Sequence, residues 1–263
     1  MGKFIMKKYA YLSIILLILS ELLIFNGSPL FGLGLHLINL LIIIFVVLFY
    51  NQDLKVYHVL QGLTLVILLR VVGLSMPQFF TDTLIQYPLI YGVMFIPIYY
   101  IIKDQQMTKT ELGINFTNLH EYIPTLLIFQ IGALAVIFGI VASIVEYTIL
   151  GSEALISTLS ATNLFLLSII MFVFIGLVEG LVFFAILQTK LEELFGLRYG
   201  LLLVGILFGV MHSTYGILDE ILFATIFGIV LAYAFHYIRS LPVIVTALGT
   251  VNIMLFGILP LMR

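Results

Sequence analysis

The chain has 263 residues, of which 63% are hydrophobic and only 9% charged, at a net charge of −2. So much apolar surface, with a mean hydropathy of +1.26, excludes a soluble single-core domain, because such a domain leaves much of every helix facing water. The near-neutral charge points to no nucleic acid partner, and zero cysteines exclude disulfides, thiolate metal sites and a cysteine nucleophile.

In chain order, apolar stretches of membrane-spanning length occur at 9–26, 30–50, 56–76, 83–102, 121–148, 163–188, 199–217, 221–238 and 241–259. The fold class is therefore all-α, a polytopic transmembrane helical bundle of eight or nine spans. The weakest candidates are 56–76, which holds Arg70, and the short-looped 30–50. The basic start and apolar middle of MGKFIMKKYAYLSIILLILSELLIF, with no small-residue cleavage site, read as a retained signal anchor. A polar stretch at 103–118, with a helix-start signal at Thr110, separates a four-span block (1–102) from a five-span block (119–263). Residues 151–163 read as a short interfacial helix.

Charge sets the sidedness. With the N-terminus inside, nine of the eleven basic residues fall in inside loops: Lys3, Lys7, Lys8, Lys55, Lys103, Lys109, Lys190, Arg198 and Arg239. The loops 27–29, 77–82, 149–162 and 218–220 contain no lysine or arginine. By the positive-inside rule this is a multi-pass protein of the cell membrane with a cytoplasmic N-terminus.

Ionisable groups inside a bilayer are costly and need individual explanation. Glu21 and Glu146 lie near span ends and read as interfacial carboxylates that snorkel to water. Arg70 lies deep and calls for a partner such as Glu21. His36, His58, His120 and His236 read as satisfied core or interfacial histidines. Gly205, Gly209, His212 and Gly216 share one helix face by spacing, and Ala224, Gly228 and Ala232 form a second small-residue face ending at His236. Counting about 1.5 Å per residue from the inner ends puts Glu179 roughly 13 Å deep, His212 roughly 21 Å and Asn252 about 16 Å. These three fit one mid-membrane layer, where a carboxylate, an imidazole and an amide can activate water.

The same residues carry a resemblance. EGLVFF (179–184) and LFGVMH (207–212) resemble the motifs of the CAAX-protease and bacteriocin-processing family of intramembrane metalloproteases, over roughly residues 120–256. The family pattern is Glu-Glu-x-x-x-Arg, then Phe-x-x-x-His, then His-x-x-x-Asn. Glu179 matches the first Glu, and Phe208 and His212 match the second motif. Gly180 stands at the second Glu, and Phe184-Ala185 stand at Arg-Gly. One register of the last motif puts Leu248 and Asn252 at its His and Asn; another puts Thr246 and Thr250 there.

The resemblance implies Glu179, His212 and Asn252 as catalytic residues and zinc as cofactor, with His212 its ligand. A zinc site needs three protein ligands, and neither register supplies a second histidine. Three functions stay open. The chain cleaves a membrane-proximal, CAAX-type prenylated or other peptide or protein substrate; or it binds such a partner without catalysis; or Glu179, His212 and Arg70 form an ion or proton path.

Overall fold

The computed structural model describes residues 2–49, 53–76, 83–114 and 125–262. His120, the end of the 103–118 stretch and the start of the 121–148 span lie outside them. The described residues form nine long helices and no strand. We number them α1 (Gly2–Phe25), α2 (Pro29–Phe49), α3 (Leu54–Leu74), α4 (Gln86–Asp104), α5 (Thr125–Leu150), α6 (Ala161–Phe195), α7 (Leu197–Val210), α8 (Leu218–Ile238) and α9 (Leu241–Leu261).

Among the described residues eight of the nine, α7 taken with the turn that carries it on to Tyr215, are long and apolar enough to cross a membrane, so the chain is a multi-pass membrane protein. The one that falls short is α4, not the α2 or α3 stretches marked as weak by sequence. It is 19 residues long, but its tyrosines and two prolines lower its hydropathy. Arg70 does not weaken α3 because its charge is matched inside the fold, as described below.

Local chemistry fixes the helix ends. Asp53 caps α3 by accepting from the Lys55 and Val56 N–H groups, and Ser160 caps α6 by accepting from Asn163 N–H. Gly196, at φ +85°, supplies the left-handed step between α6 and α7. Residues 151–158 form no helix; Leu155 N–H and Ser152 Oγ instead donate to the carbonyls of Phe256 and Leu255 on α9. The expected interfacial helix is therefore an irregular strap tied to α9. In the polar stretch after α4, the reciprocal pair is Thr108 and Glu111 rather than one based on Thr110: each backbone N–H donates to the other's side chain.

The core centres on α6, a 35-residue helix whose Val178, Val182, Phe183, Phe184, Ala185, Ile186 and Leu187 are at most 1% exposed. α3 packs along it from one side, with Gly62 against Leu187, and α9 from another. Gly176 and Gly180 make that second approach close, because a Cβ on Gly180 would sit 2.9 Å from Leu241 Cδ1 and one on Gly176 would sit 3.1 Å from the Val245 carbonyl. Where lipid offers no hydrophobic drive between helices, such small-residue contacts supply the packing. α7 and α8 form the same kind of hairpin: Gly205 and Gly209 face Thr225 and Ile229, and Gly228 faces Phe208. Outward faces such as Leu37, Leu41, Phe45 and Leu48 of α2 are exposed and suit a lipid environment.

The cationic end of the bundle is knitted together by its own charges. Lys7 Nζ donates to the Leu194 carbonyl, Lys55 Nζ to the Glu193 carbonyl, and Lys190 pairs with Glu193 at 2.9 Å and Glu111 at 3.4 Å. His236, as read from sequence, is a satisfied histidine there; its Nδ1 lies 2.8 Å from Glu192 Oε2, and Arg239 pairs with the same oxygen.

Candidate active site

At the opposite end, the bundle encloses a cavity of about 280 Å³, just under the usual range for small-ligand sites. Its walls come from the end of α3, the start of α4, Glu146 of α5, the middle of α6, the turn after α7 and the end of α9. Glu179, His212 and Asn252 all line it. The three residues singled out by sequence therefore meet in one place, although no hydrogen bond or ion pair joins them to one another among the described residues.

Glu179 sits between two π-helical stretches of α6, 170–176 and 180–188. Such widened turns occur often at functional sites, where they re-aim side chains. Here adjacent residues serve different neighbours: Glu179 faces the cavity while Gly180 faces α9. Tyr91 Oη donates to Glu179 Oε1 at 2.9 Å. This partner was missed in the sequence; the signal was the tyrosine pair Tyr87 and Tyr91, one helical turn apart in the least apolar span.

His212 is not on the glycine face of a helix. α7 ends at Val210, and His212 occupies the following turn at φ −89°, ψ 7°. Gly205 and Gly209 are explained by the close contact with α8, whereas Gly216 takes a left-handed conformation at φ +67°. His212 Nδ1 lies 3.0 Å from the Phe208 carbonyl. A carbonyl only accepts, so Nδ1 carries the proton, and Nε2 of the neutral ring is left as an acceptor. Asn252 gives one amide hydrogen to the Leu248 carbonyl at 2.9 Å, which leaves its second hydrogen and its oxygen for a ligand.

Neighbouring polar residues hold the His212 turn in place. Glu21 is 1% exposed rather than snorkelling, and its Oε1 lies 2.8 Å from Arg70 Nε and 3.0 Å from His36 Nε2. Its other oxygen accepts from Ser213 Oγ, and Arg70 also donates to the Met211 carbonyl. The expected Arg70–Glu21 pair is present, and it clamps the residues on both sides of His212. Glu146 is likewise not interfacial: it is buried, 7% exposed, and lines the cavity. Side chains from the neighbouring helices close over it, so its place near the end of α5 does not bring it to water.

Residues 161–254 match the family model for type II CAAX prenyl endopeptidase Rce1-like proteins. The match runs from the start of α6 into α9, past Asn252, and so takes in Glu179, His212 and Asn252; this segment of the membrane protein is similar to that family. Comparison with curated proteins and with solved structures finds no match.

Within the Rce1-like segment, the replaced motif positions divide in two. Gly180 and Phe184 do not line the cavity; Gly180 contacts Leu241, Val245 and Ile244, and Phe184 is fully buried against Phe208. Leu248 does line it, together with Val251 and Asn252, whereas Thr246 and Thr250 do not. The donors present do not fit a zinc ion. No three His, Cys, Asp or Glu side chains among the described residues come close enough to share a metal, and His212 is the cavity's single imidazole.

Proposed function

We propose that this protein is a glutamate-dependent intramembrane endopeptidase that works without a resident metal. The observation carrying this reading is the convergence of Glu179, His212 and Asn252 on one cavity, while two of the three replaced positions point elsewhere. Glu179 takes a proton from water, and the hydroxide attacks the scissile carbonyl carbon. His212 Nε2 accepts a hydrogen bond from that water and orients it. Asn252 turns its free amide hydrogen to the oxyanion, and Tyr91 holds the Glu179 carboxylate by its hydroxyl. Glu179 then returns the proton to the leaving amine as the C–N bond breaks.

The substrate is a peptide or protein segment presented at the membrane. In a cell membrane with the N-terminus inside, the cavity lies toward the outer face. An ion path has less support, since the core between the cavity and the cationic end is filled by Val182, Phe183, Phe184, Ile186 and Leu187. Leu248, an apolar residue on the cavity wall where the family has histidine, favours a second reading in which the cavity binds a peptide without cutting it.

The decisive experiment uses the full chain in lipid vesicles with membrane-proximal peptides, read by mass spectrometry. Cleavage by the unaltered protein, unchanged by a chelator and lost in Glu179→Gln, is the expected result. Undiminished cleavage by Glu179→Gln refutes the role of Glu179. Peptide binding with no cleavage by the unaltered protein selects the second reading.

A further inference from the structure

The cavity contains more carboxyl groups than the proposed chemistry uses. Glu146 is 7% exposed, lines the cavity, and makes no hydrogen bond or ion pair with the described protein. Behind it, near the start of α8, Glu220 is 0% exposed, and neither of its carboxylate oxygens has a partner. Arg70 is the one cation on the cavity wall, and it is committed to Glu21 and to the Met211 carbonyl. Buried carboxyl groups are normally paired or hydrogen-bonded, so this wall is short of a partner.

Two further features point to what supplies it. Tyr87, Tyr91 and Tyr215 line the same cavity, and aromatic faces attract organic cations. At this end of the bundle Glu153 and Asp219 add negative charge, and no lysine or arginine besides Arg70 lies there among the described residues. Such an asymmetry draws positive ligands toward the mouth.

We infer that the cavity takes an organic cation, the ammonium or guanidinium head of a basic side chain, seated against Glu146. This deepens the endopeptidase reading and rests on it: Glu146 becomes the residue that selects a lysine or arginine beside the scissile bond. A metal ion does not serve in its place, since no three acidic or imidazole donors converge among the described residues. A planar guanidinium or a compact ammonium can instead bond to the Glu146 carboxylate while its stem lies against the tyrosines.

The test separates this inference from catalysis by using a probe that cannot be cut. n-Butylguanidinium and its neutral analogue N-butylurea are titrated into the purified full chain in lipid nanodiscs, and the melting temperature is followed. The guanidinium should stabilise saturably and the urea should not. Glu146→Gln should weaken guanidinium binding about tenfold or more, the range for a hydrogen bond to a charged group, while Asp104→Asn, at the opposite end of the bundle, leaves it unchanged. Glu146→Met is the second variant should Glu146→Gln fail to fold. Equal binding of the two probes, or full binding by both Glu146 variants, overturns the inference. Peptides matched except for lysine against norleucine then read selectivity in the cleavage assay. Guanidinium binding that depends on Glu146, without any cleavage, refutes the endopeptidase reading alone; cleavage with no lysine preference refutes this inference alone.

Discussion

The sharpest prediction concerns Arg70→Met, which keeps the length and most of the packing of the side chain but removes its charge. Glu21, 1% exposed, would lose its partner at 2.8 Å, and the Met211 carbonyl would lose its donor. Removing one member of a buried pair costs about 3–5 kcal/mol, and an unmet carbonyl adds about 1 kcal/mol. Against this, Glu21 keeps His36 Nε2 and Ser213 Oγ, which places the net loss near the low end, about 3 kcal/mol. Glu21→Gln keeps an oxygen for those donors and should cost about 1–2 kcal/mol. The double variant should be less destabilised than the sum of the singles by about 2 kcal/mol, because it leaves no buried charge unmatched. Reversible unfolding in mixed micelles measures all three. A loss below about 1 kcal/mol for Arg70→Met, or strict additivity, would show that the pair is no more than a screened surface contact. Cleavage should fall further than stability accounts for, since the same guanidinium holds the residue before His212.

The remaining predictions probe packing and the loop after α4. Gly209→Ala places a Cβ against Thr225 Oγ1 and 2.7 Å from the Thr225 backbone nitrogen, so it should cost about 1–3 kcal/mol; Gly34→Ala, with nothing within 4 Å, should be neutral or gain up to about 1 kcal/mol, both read by unfolding. Gly180→Glu restores the family residue in name only: its Cβ meets Leu241 at 2.9 Å, so it should destabilise by about 2 kcal/mol or more and leave cleavage no faster. Burial pushes the Glu111 carboxyl up, but the Thr108 N–H and hydroxyl with Lys190 outweigh it and hold the group below its ordinary value. A depressed carboxyl contributes stability above its unfolded value and loses it as pH falls, so an acid-active protease should cut 103–114 faster below about pH 4, while Glu111→Gln should be cut readily at every pH.

What the sequence made legible, and what it hid, follows from which interactions are periodic. The spans and the Arg70–Glu21 pair were legible because hydropathy and intramembrane charge are read one residue at a time. Glu146 was misread for the same reason: its position near a span end says nothing of the helices that close over it. His212 was misplaced because its spacing from Gly205 and Gly209 matches a helix turn. The helix nonetheless stops at Val210, and Met211 and Ser213 turn to the Arg70–Glu21 pair on α1 and α3, contacts with no local signature.

Gly180 shows the limit from the other side. By alignment with the family motif it marks a lost acid, and three such losses argue against an enzyme. By geometry it belongs with Gly176 to the face on which α9 closes, at a position where a carboxylate would meet Leu241, Val245 and Ile244 instead of the cavity. The substitution therefore changes how α6 meets α9 and leaves the set of groups around Glu179 as it is. Leu248 is the replaced residue that does alter that set, because it lines the cavity where the family has an imidazole. Whether this chain cuts or only binds turns on what an apolar side chain at 248 permits beside Asn252. Introducing histidine there, at a position already buried to 2% exposure, should raise cleavage only if Glu179, His212 and Asn252 already form a working site.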